Sequence, residues 1–553
     1  MSSMMSGKKA ILEMLKAEGV EYIFGNPGTS EGPFIDMLGE YPEFKYIMAL
    51  QESVAIGMGE SYARATNKPS FVSLHVDSGL ANGIALMLDA LNTGTPMVIT
   101  SANYDARKIN ESKTDLAELV RPVTKWSVEL NLPDQIPSVL RRAFNEANSH
   151  PKGPVYVGFT ANALEGTANM NILPSTKAFD SVYPDPEAIK KAANLIIQSE
   201  NPLLMVGDRV SDDDALNEAV QLAELAGFTV YQSRGAEVSF PSTHPQYLGV
   251  HSLRNKTHRE DLKEYDLVLT VGMETFEELF YWGDVILDQN TKLIHIDPVY
   301  DKVGRSEPTD VGIVSNCKTG LNALINSLTN KLDAKYIINR ISSIKTKSEN
   351  QKLTYQKSLE ETWATLPMTP ARMMYELSQA IPNNSIIVDD SISSRVHLKQ
   401  NFKSVKRNDI RSVRGQSIGG GIGATIGTKC AFPDRPVIGI IGDGSAMMTI
   451  QGLWSAVNDK IPCIFVICNN GMYRVLKVNY KIYQTELLGE SEPVAEMLPH
   501  SDFNAPINMC YIAKGMGLEC ENITTPDQIK PALHKALKSE KPYLINISID
   551  GSL

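Results

Sequence analysis

The stretch Val437–Tyr473, VIGIIGDGSAMMTIQGLWSAVNDKIPCIFVICNNGMY, restricts the fold of this 553-residue chain more than any other part of it. Its opening run, Val437-Ile438-Gly439-Ile440-Ile441, is apolar on both faces, as a strand buried in a parallel sheet must be. The run gives way to Gly442-Asp443-Gly444-Ser445, after which Met447, Met448, Ile450, Leu453, Trp454 and Val457 recur at helical spacing. A second apolar run, Cys463 to Cys468, delivers Asn469-Asn470. Strand, loop, helix and strand in that order form a parallel α/β unit. Its polar residues stand at the carboxyl ends of both strands, the edge at which open α/β sheets bind ligands.

One carboxylate (Asp443), one side-chain amide (Asn470) and a nearby main-chain carbonyl make a sparse set of hard oxygens. Mg²⁺ takes such a set, because it keeps water and draws its remaining ligands from a phosphate-bearing partner. Gly442 and Gly444 let a diphosphate approach the main chain, and the helix N-terminus after Ser445 favours its charge. A Gly-Asp-Gly alone is more often a surface turn than a site. The strand context, and the Asn pair after an interval of twenty-four residues, carry the reading. Together they resemble the fingerprint of thiamine-diphosphate (ThDP) enzymes. The resemblance implies Mg²⁺ held by Asp443, Asn470 and the carbonyl of Met472, with ThDP against Gly442, Gly444, Ser445 and Tyr473.

The likeness extends over nearly the whole chain. Gly25-Asn26-Pro27-Gly28-Thr29, Leu50-Gln51-Glu52, Leu74-His75, Lys125-Trp126-Ser127, Gly153-Pro154-Val155-Tyr156-Val157, Phe240-Pro241 and His244-Pro245 resemble the benzoylformate decarboxylases. Acetolactate synthases share the architecture, but their Gly-Pro-Gly-rich loop does not follow Leu74 here. By this resemblance Glu52 is the carboxyl group hydrogen-bonded to the aminopyrimidine ring of ThDP. His75 is an acid or base toward substrate, and Thr29 binds the substrate carboxylate. Ser391 and Ser393 meet the diphosphate, and Ile418 is the apolar wedge that bends the cofactor. Taken alone, each residue has a plainer reading: a dipole-favouring acid at a helix start, a loop histidine, a turn threonine, an N-cap serine cluster and a core isoleucine.

One departure stands out. In the run Gly272-Met273-Glu274-Thr275-Phe276-Glu277-Glu278-Leu279, Leu279 occupies the place of a second active-site histidine in benzoylformate decarboxylases. Glu277 and Glu278 could substitute for it, although acidic helix residues are usually solvated. The long mixed segment from Tyr473 to Ser501 is expected to form a lid, with Val475, Leu476 and Val478 nearest the anchor.

The expected fold is α/β, with three doubly wound parallel-sheet domains of the ThDP-dependent decarboxylase type. Residues 1–180 form the amino-terminal pyrimidine-binding domain, 181–345 a central Rossmann-like domain, and 346–553 the diphosphate- and Mg-binding domain. The central part has no GxGxxG after a strand, so nicotinamide is not expected. A structural role is preferred there, and FAD, which some acetolactate synthases carry, is not expected although the residues leave it open. A net charge of −11 argues against nucleic acid, and no apolar run reads as a membrane span or a secretory leader. Six cysteines without a CxxC pair point to core thiols such as Cys463 and Cys468, no disulfide frame, and a cytoplasmic setting. The implied reaction is non-oxidative decarboxylation of a 2-oxo acid, through ylide attack and an enamine, with acetolactate-synthase-like carboligation as the alternative. The resemblance also implies an active site shared between subunits of a dimer or homotetramer.

Overall fold

Three parallel sheets of six strands each carry the chain. The computed structural model describes residues 2–553 except 109–112, 177–180, 236, 277, 416, 492–493 and 495–496. The first sheet runs Lys45–Met48, Tyr22–Gly25, Ser70–Ser73, Met97–Asn103, Pro154–Thr160, Trp126–Leu130 across its width. The central sheet runs Tyr247–Val250, Thr229–Gln232, Pro202–Val206, Leu267–Val271, Lys292–Asp297, Val311–Val314. The third runs Ile410–Ser412, Ile386–Asp390, Val437–Gly442, Ile464–Asn469, Tyr543–Ser548, Glu519–Ile523.

Each sheet is doubly wound, as expected. The chain lays down a first strand, moves outward on one side, then returns to build on the other. The order therefore reverses beside Tyr22–Gly25, beside Pro202–Val206 and beside Ile386–Asp390. Loops diverge at such a point and leave a crevice at the carboxyl edge. Asp443 follows the strand that adjoins Ile386–Asp390, so the reversal in the third sheet falls on the Gly-Asp-Gly turn.

The first and third sheets share one apolar core. Ile56, Met58 and Val72 belong to the same buried cluster as Ile422, Ile426, Ile441 and Phe465, while the central sheet keeps its own. The seam is the contact between helix Glu52–Thr66 and helix Gly421–Ala431. The first helix is capped by the Gln51 side chain, which accepts the Val54 N–H at 3.1 Å, and it stops at Asn67 in the left-handed region. The second helix is buried over nearly its whole length. Its glycines permit main-chain contact. A Cβ at Gly423 would sit 2.8 Å from the Val54 carbonyl oxygen, and one at Gly427 would collide with the Met58 carbonyl. The Ser61 and Thr428 hydroxyls meet at 2.7 Å across the seam.

A charge knot ties all three sheets together. Arg64, from the end of the first seam helix, pairs with Glu237 of the central part, and Arg411 of the third sheet lies 3.6 Å from the same carboxylate. Arg414 reaches Asp208 at 2.7 Å and Asp212 at 3.5 Å. Burial opposes charge on Glu237, but Arg411, Arg64 and Arg414 outweigh it and hold the carboxyl down at about 2.

Two expectations are corrected. Cys510 and Cys520 are disulfide-bonded, with Cα atoms 5.4 Å apart. Helix Met509–Gly515 turns directly into strand Glu519–Ile523 and lays them side by side, a proximity that their spacing of ten residues does not signal. The other four cysteines are free and buried, Cys463 and Cys468 among them. Glu278 is neither helical nor solvated: its side chain is 5% exposed and paired with Arg254 at 2.6 Å. Glu277 lies outside the described residues. The polar helix expected near residues 336–366 spans Ala334–Glu361, capped by Asp333.

Gly427→Ala places a methyl against main chain that cannot yield without parting the helices. Overpacking of this kind costs about 1–3 kcal/mol. Denaturant unfolding should show a lowered midpoint for this variant, whereas Gly515→Ala, where a Cβ meets nothing within 4 Å, should lie close to wild type.

Candidate functional site

Two groups of polar side chains stand at the carboxyl edges of the first and third sheets. In the first, Glu52 opens its helix with a side chain almost wholly buried. Both of its oxygens are held by amides: Asn26 Nδ2 donates to Oε1 at 2.8 Å and Asn82 Nδ2 to Oε2 at 3.1 Å. Asn26 follows strand Tyr22–Gly25 and Asn82 lies on helix Ser78–Asn92, so three elements converge on one carboxylate. His75 lies just past strand Ser70–Ser73. Gly79 joins the two residues, since a Cβ there would lie 2.8 Å from Glu52 Oε1 and 2.7 Å from the His75 Cβ.

The His75 ring rests on Gly28, where any Cβ would overlap it. Its Nδ1 is 2.9 Å from Glu31 Oε2, so the imidazole N–H donates to the carboxylate. Glu31 is 2% exposed and also accepts the main-chain N–H groups of Ala102 at 2.8 Å and Gly28 at 3.2 Å. Thr29 sits beside Gly28 at the surface. Glu31, Asn26 and Asn82 were not singled out from the sequence. Asn26 lay inside a recognised motif, and Glu31 carried the one available signal, an acid immediately after a Gly-Thr-Ser turn.

The second group surrounds the Gly-Asp-Gly turn. Asp443 Oδ1 accepts the Gly444 N–H and Oδ2 the Gly471 N–H, both at 2.7 Å. Burial pushes its carboxyl above the ordinary range, against the pull of these N–H groups. Asn470 Oδ1 accepts the Met472 N–H at 3.1 Å, so Asp443, Asn470 and Met472 share one loop system. A Cβ on Gly444 would come within 2.5 Å of the Tyr473 ring, which stands edge-on to Phe503 at 4.9 Å. Among the described residues, no group of three or more His, Cys, Asp or Glu side chains is placed to hold a metal; the expected oxygen set contains one carboxylate, Asp443.

Beside it lies a feature the sequence did not disclose. Asp390, fully buried at the end of its strand, accepts the Ser445 hydroxyl and the Gly421 N–H, the latter at 2.9 Å. Ser445 Oγ in turn accepts the Gly419 N–H at 2.8 Å. Gly419 has φ +105°, a conformation closed to most residues, and it carries Ile418 into the crevice loop. The Ser445 hydroxyl is thus committed within the protein. The Ser391 hydroxyl is likewise committed, donating to Asp389 Oδ1 at 2.6 Å. Ser393 lies in the short turn Ile392–Ser394, two residues before Arg395, which pairs with Asp389. Among the described residues, no hydrogen bond or ion pair joins Glu52 or His75 to Asp443, Asn470 or Met472.

Burial pushes the Asp390 carboxyl up from 3.8 to about 6, although Ser445 and Gly421 pull the other way. Between those values the folded chain holds a proton that the unfolded chain has lost. This group therefore favours folding more on the acid side, and the benefit fades as pH rises through about 6. Asp390→Asn removes the titration. The difference in unfolding midpoint between variant and wild type should change between about pH 4 and pH 6 and level off above that. Denaturant titrations across that range check this.

Models of three domains match the chain: the N-terminal TPP-binding domain of thiamine pyrophosphate enzymes at residues 5–121, their central domain at 189–324, and their C-terminal TPP-binding domain at 394–547. Benzoylformate decarboxylase of Pseudomonas aeruginosa is 28% identical, over 97% of this chain and 98% of that protein. A probable acetolactate synthase large subunit of Methanocaldococcus jannaschii is 27% identical, over 99% of this chain and 92% of that protein. The solved thiamine diphosphate-dependent 4-hydroxybenzoylformate decarboxylase of Rhodococcus jostii RHA1 superposes with a TM-score of 0.84 at 25% identity, covering 99% of both chains.

Proposed function

We propose, from the premise that the chain belongs to the thiamine pyrophosphate enzymes, that it is a Mg²⁺-dependent carboxy-lyase releasing CO₂ from a 2-oxo acid. The observation that carries the reading is Glu52, a buried carboxylate gripped by two amides at the reversal point of the first sheet. Any buried carboxylate needs donors; Glu52 differs in that its donors are neutral amides and no cation answers it among the described ion pairs, at the edge where such sheets bind ligands.

The residues suit the groups they would hold. Asp443 is buried with its charge disfavoured, and a divalent cation beside it would answer that charge; the Asn470 amide and the Met472 carbonyl complete a set of hard oxygens. The diphosphate would lie against Gly442, where a Cβ would meet nothing closer than 3.8 Å, at the N-terminus of helix Asp443–Met448, while the Ser445 hydroxyl serves Asp390. Ser393 is the free candidate of the serine pair, since Ser391 is engaged by Asp389. Ile418, fixed through Gly419 and Ser445, would bear on the cofactor rings, and Tyr473 would close the diphosphate end.

When bound, thiamine diphosphate supplies the carbon nucleophile and the electron sink that decarboxylation requires. The chain's own part is positional and protonic. Glu52 holds a hydrogen bond to the aminopyrimidine ring in one geometry, because Asn26 and Asn82 fix both its oxygens. Glu31 takes the Nδ1–H of His75 and leaves Nε2 as the atom that gives or takes a proton at the substrate. Thr29, exposed beside Gly28, offers a hydroxyl to the substrate carboxylate. Helix Arg474–Ile482 and the segment after it would screen the reacting carbon from water. A second copy of the chain would bring its Glu52 group to this anchor, in a dimer or homotetramer. Among the described residues no helix is long and apolar enough to cross a membrane.

Glu52→Gln should retain ThDP binding, followed by fluorescence quenching, and lose about 10²–10⁴-fold in turnover. Full activity in that variant would refute the assignment. Products from a panel of 2-oxo acids separate the lyase from the alternative: an aldehyde supports decarboxylation, and a hydroxyketone from two pyruvates supports carboligation.

A further inference from the structure

At the carboxyl edge of the central sheet, strand Thr229–Gln232 leads into Ser233-Arg234-Gly235. Arg234 Nη1 stands 3.6 Å from Glu278 Oε1, too far for a hydrogen bond, and its side chain is 47% exposed. The same oxygen is already occupied. Arg254 Nε donates to it at 2.6 Å, the Leu279 N–H donates to it at 2.8 Å, and the Ser252 hydroxyl takes the other oxygen at 3.3 Å. Among the described residues Arg234 has no other ion pair, so two guanidinium groups share one saturated carboxylate. Burial and the neighbouring Arg254 draw Arg234 down to about 10, so it stays charged at neutral pH.

This cationic recess lies beside the anchor. Arg254 Nη1 donates to Asn479 Oδ1 at 2.8 Å, and Asn479 belongs to Arg474–Ile482, the helix that begins directly after Tyr473. Phe280 stacks on Tyr483 at 6.3 Å and holds the central segment against the same stretch. From the other side Arg395, beside Ser391 and Ser393, is close enough for its charge to bear on Arg234, while Asp389 answers Arg395 itself at 2.6 Å. Leu279, next to Glu278 in the chain, is exposed and cannot move a proton.

We propose that Arg234, backed by Arg254, binds an oxyanion at the far end of the substrate, making that substrate a 2-oxo acid with a second carboxylate, sulfonate or phosphonate. This rests on the reading of the chain as an enzyme of 2-oxo acids. A planar guanidinium suits a two-oxygen face of such a group. A neutral alkyl or aromatic end would desolvate Arg234 and leave it unanswered.

The test uses full-length protein with ThDP and Mg²⁺ and compares matched substrates: 2-oxoglutarate against 2-oxopentanoate, and the 3-sulfonato and 3-phosphono derivatives of pyruvate against 2-oxobutanoate. Wild type should favour the charged member by about ten-fold or more in kcat/KM, and the three charged arms identify which oxyanion is read. Arg234→Met should lose about ten-fold on that substrate, chiefly in KM, while the neutral partner, no longer desolvating a guanidinium, gains; Arg234→Lys should recover part of the loss. Calorimetry with two non-reacting probes, glutarate and pentanoate, follows binding alone: wild type should prefer the dianion and Arg234→Met should not. Preference for neutral substrates, or equal losses on both members of a pair, overturns the recess and leaves the lyase reading standing. Release of CO₂ from no 2-oxo acid, with the glutarate preference intact, overturns the lyase reading and leaves the recess.

Discussion

The contact between helices Glu52–Thr66 and Gly421–Ala431 sets the geometry on which the other features depend. Main chain meets main chain there because Gly423 and Gly427 carry no side chain, and the first and third sheets close over one apolar core. Glu52 heads the first of these helices, and the second begins where Gly421 donates its N–H to Asp390. The seam therefore registers both polar groups at once, the Glu52 carboxylate at one end and the Asp390 support of the Gly-Asp-Gly loop at the other. Close packing transmits position well because there is little free volume in which to absorb a shift.

Both groups work through buried carboxylates in different surroundings. Glu52 is met by two amides, Glu31 by an imidazole and two main-chain N–H groups, Asp443 by main-chain N–H groups alone, and Asp390 by a hydroxyl and one N–H. A carboxylate answered only by neutral donors is left wanting a cation or a proton. Asp443 suits the first outcome, and Asp390, with its raised affinity for protons, the second.

Much of this was legible in the sequence. Buried parallel strands announce themselves as unbroken apolar runs, so Pro202–Val206 and Leu267–Val271 were readable to the residue, and the polar turn after Ile441 marked the ligand-binding edge. What stayed hidden depends on residues distant in the chain. Nothing in the order of residues joins Asp390 to Ser445 or Glu31 to His75, and the Glu278 side chain looks solvated until Arg254 folds over it. The Cys510–Cys520 bond escaped for a related reason, since a helix-to-strand turn brings the pair together without any recognisable spacing. Local pattern reports which surfaces are buried; it does not report what they are buried against.

The knot of Arg64, Glu237, Arg411 and Arg414 bears on how such a chain can be taken apart or recombined. Each of the three sheets contributes charge that meets opposite charge from another, and Arg64, Glu237, Arg411 and Arg414 are buried. Breaking a buried pair by removing one partner is far more costly than never having built it. The three sheets look like separable modules in topology, yet each carries a debt to its neighbours in electrostatics. Exchanging one of them for its counterpart from a relative would need the matching arginines and acids to travel with it. Evolution of this architecture is then constrained less by the sheets than by the ions at their junction.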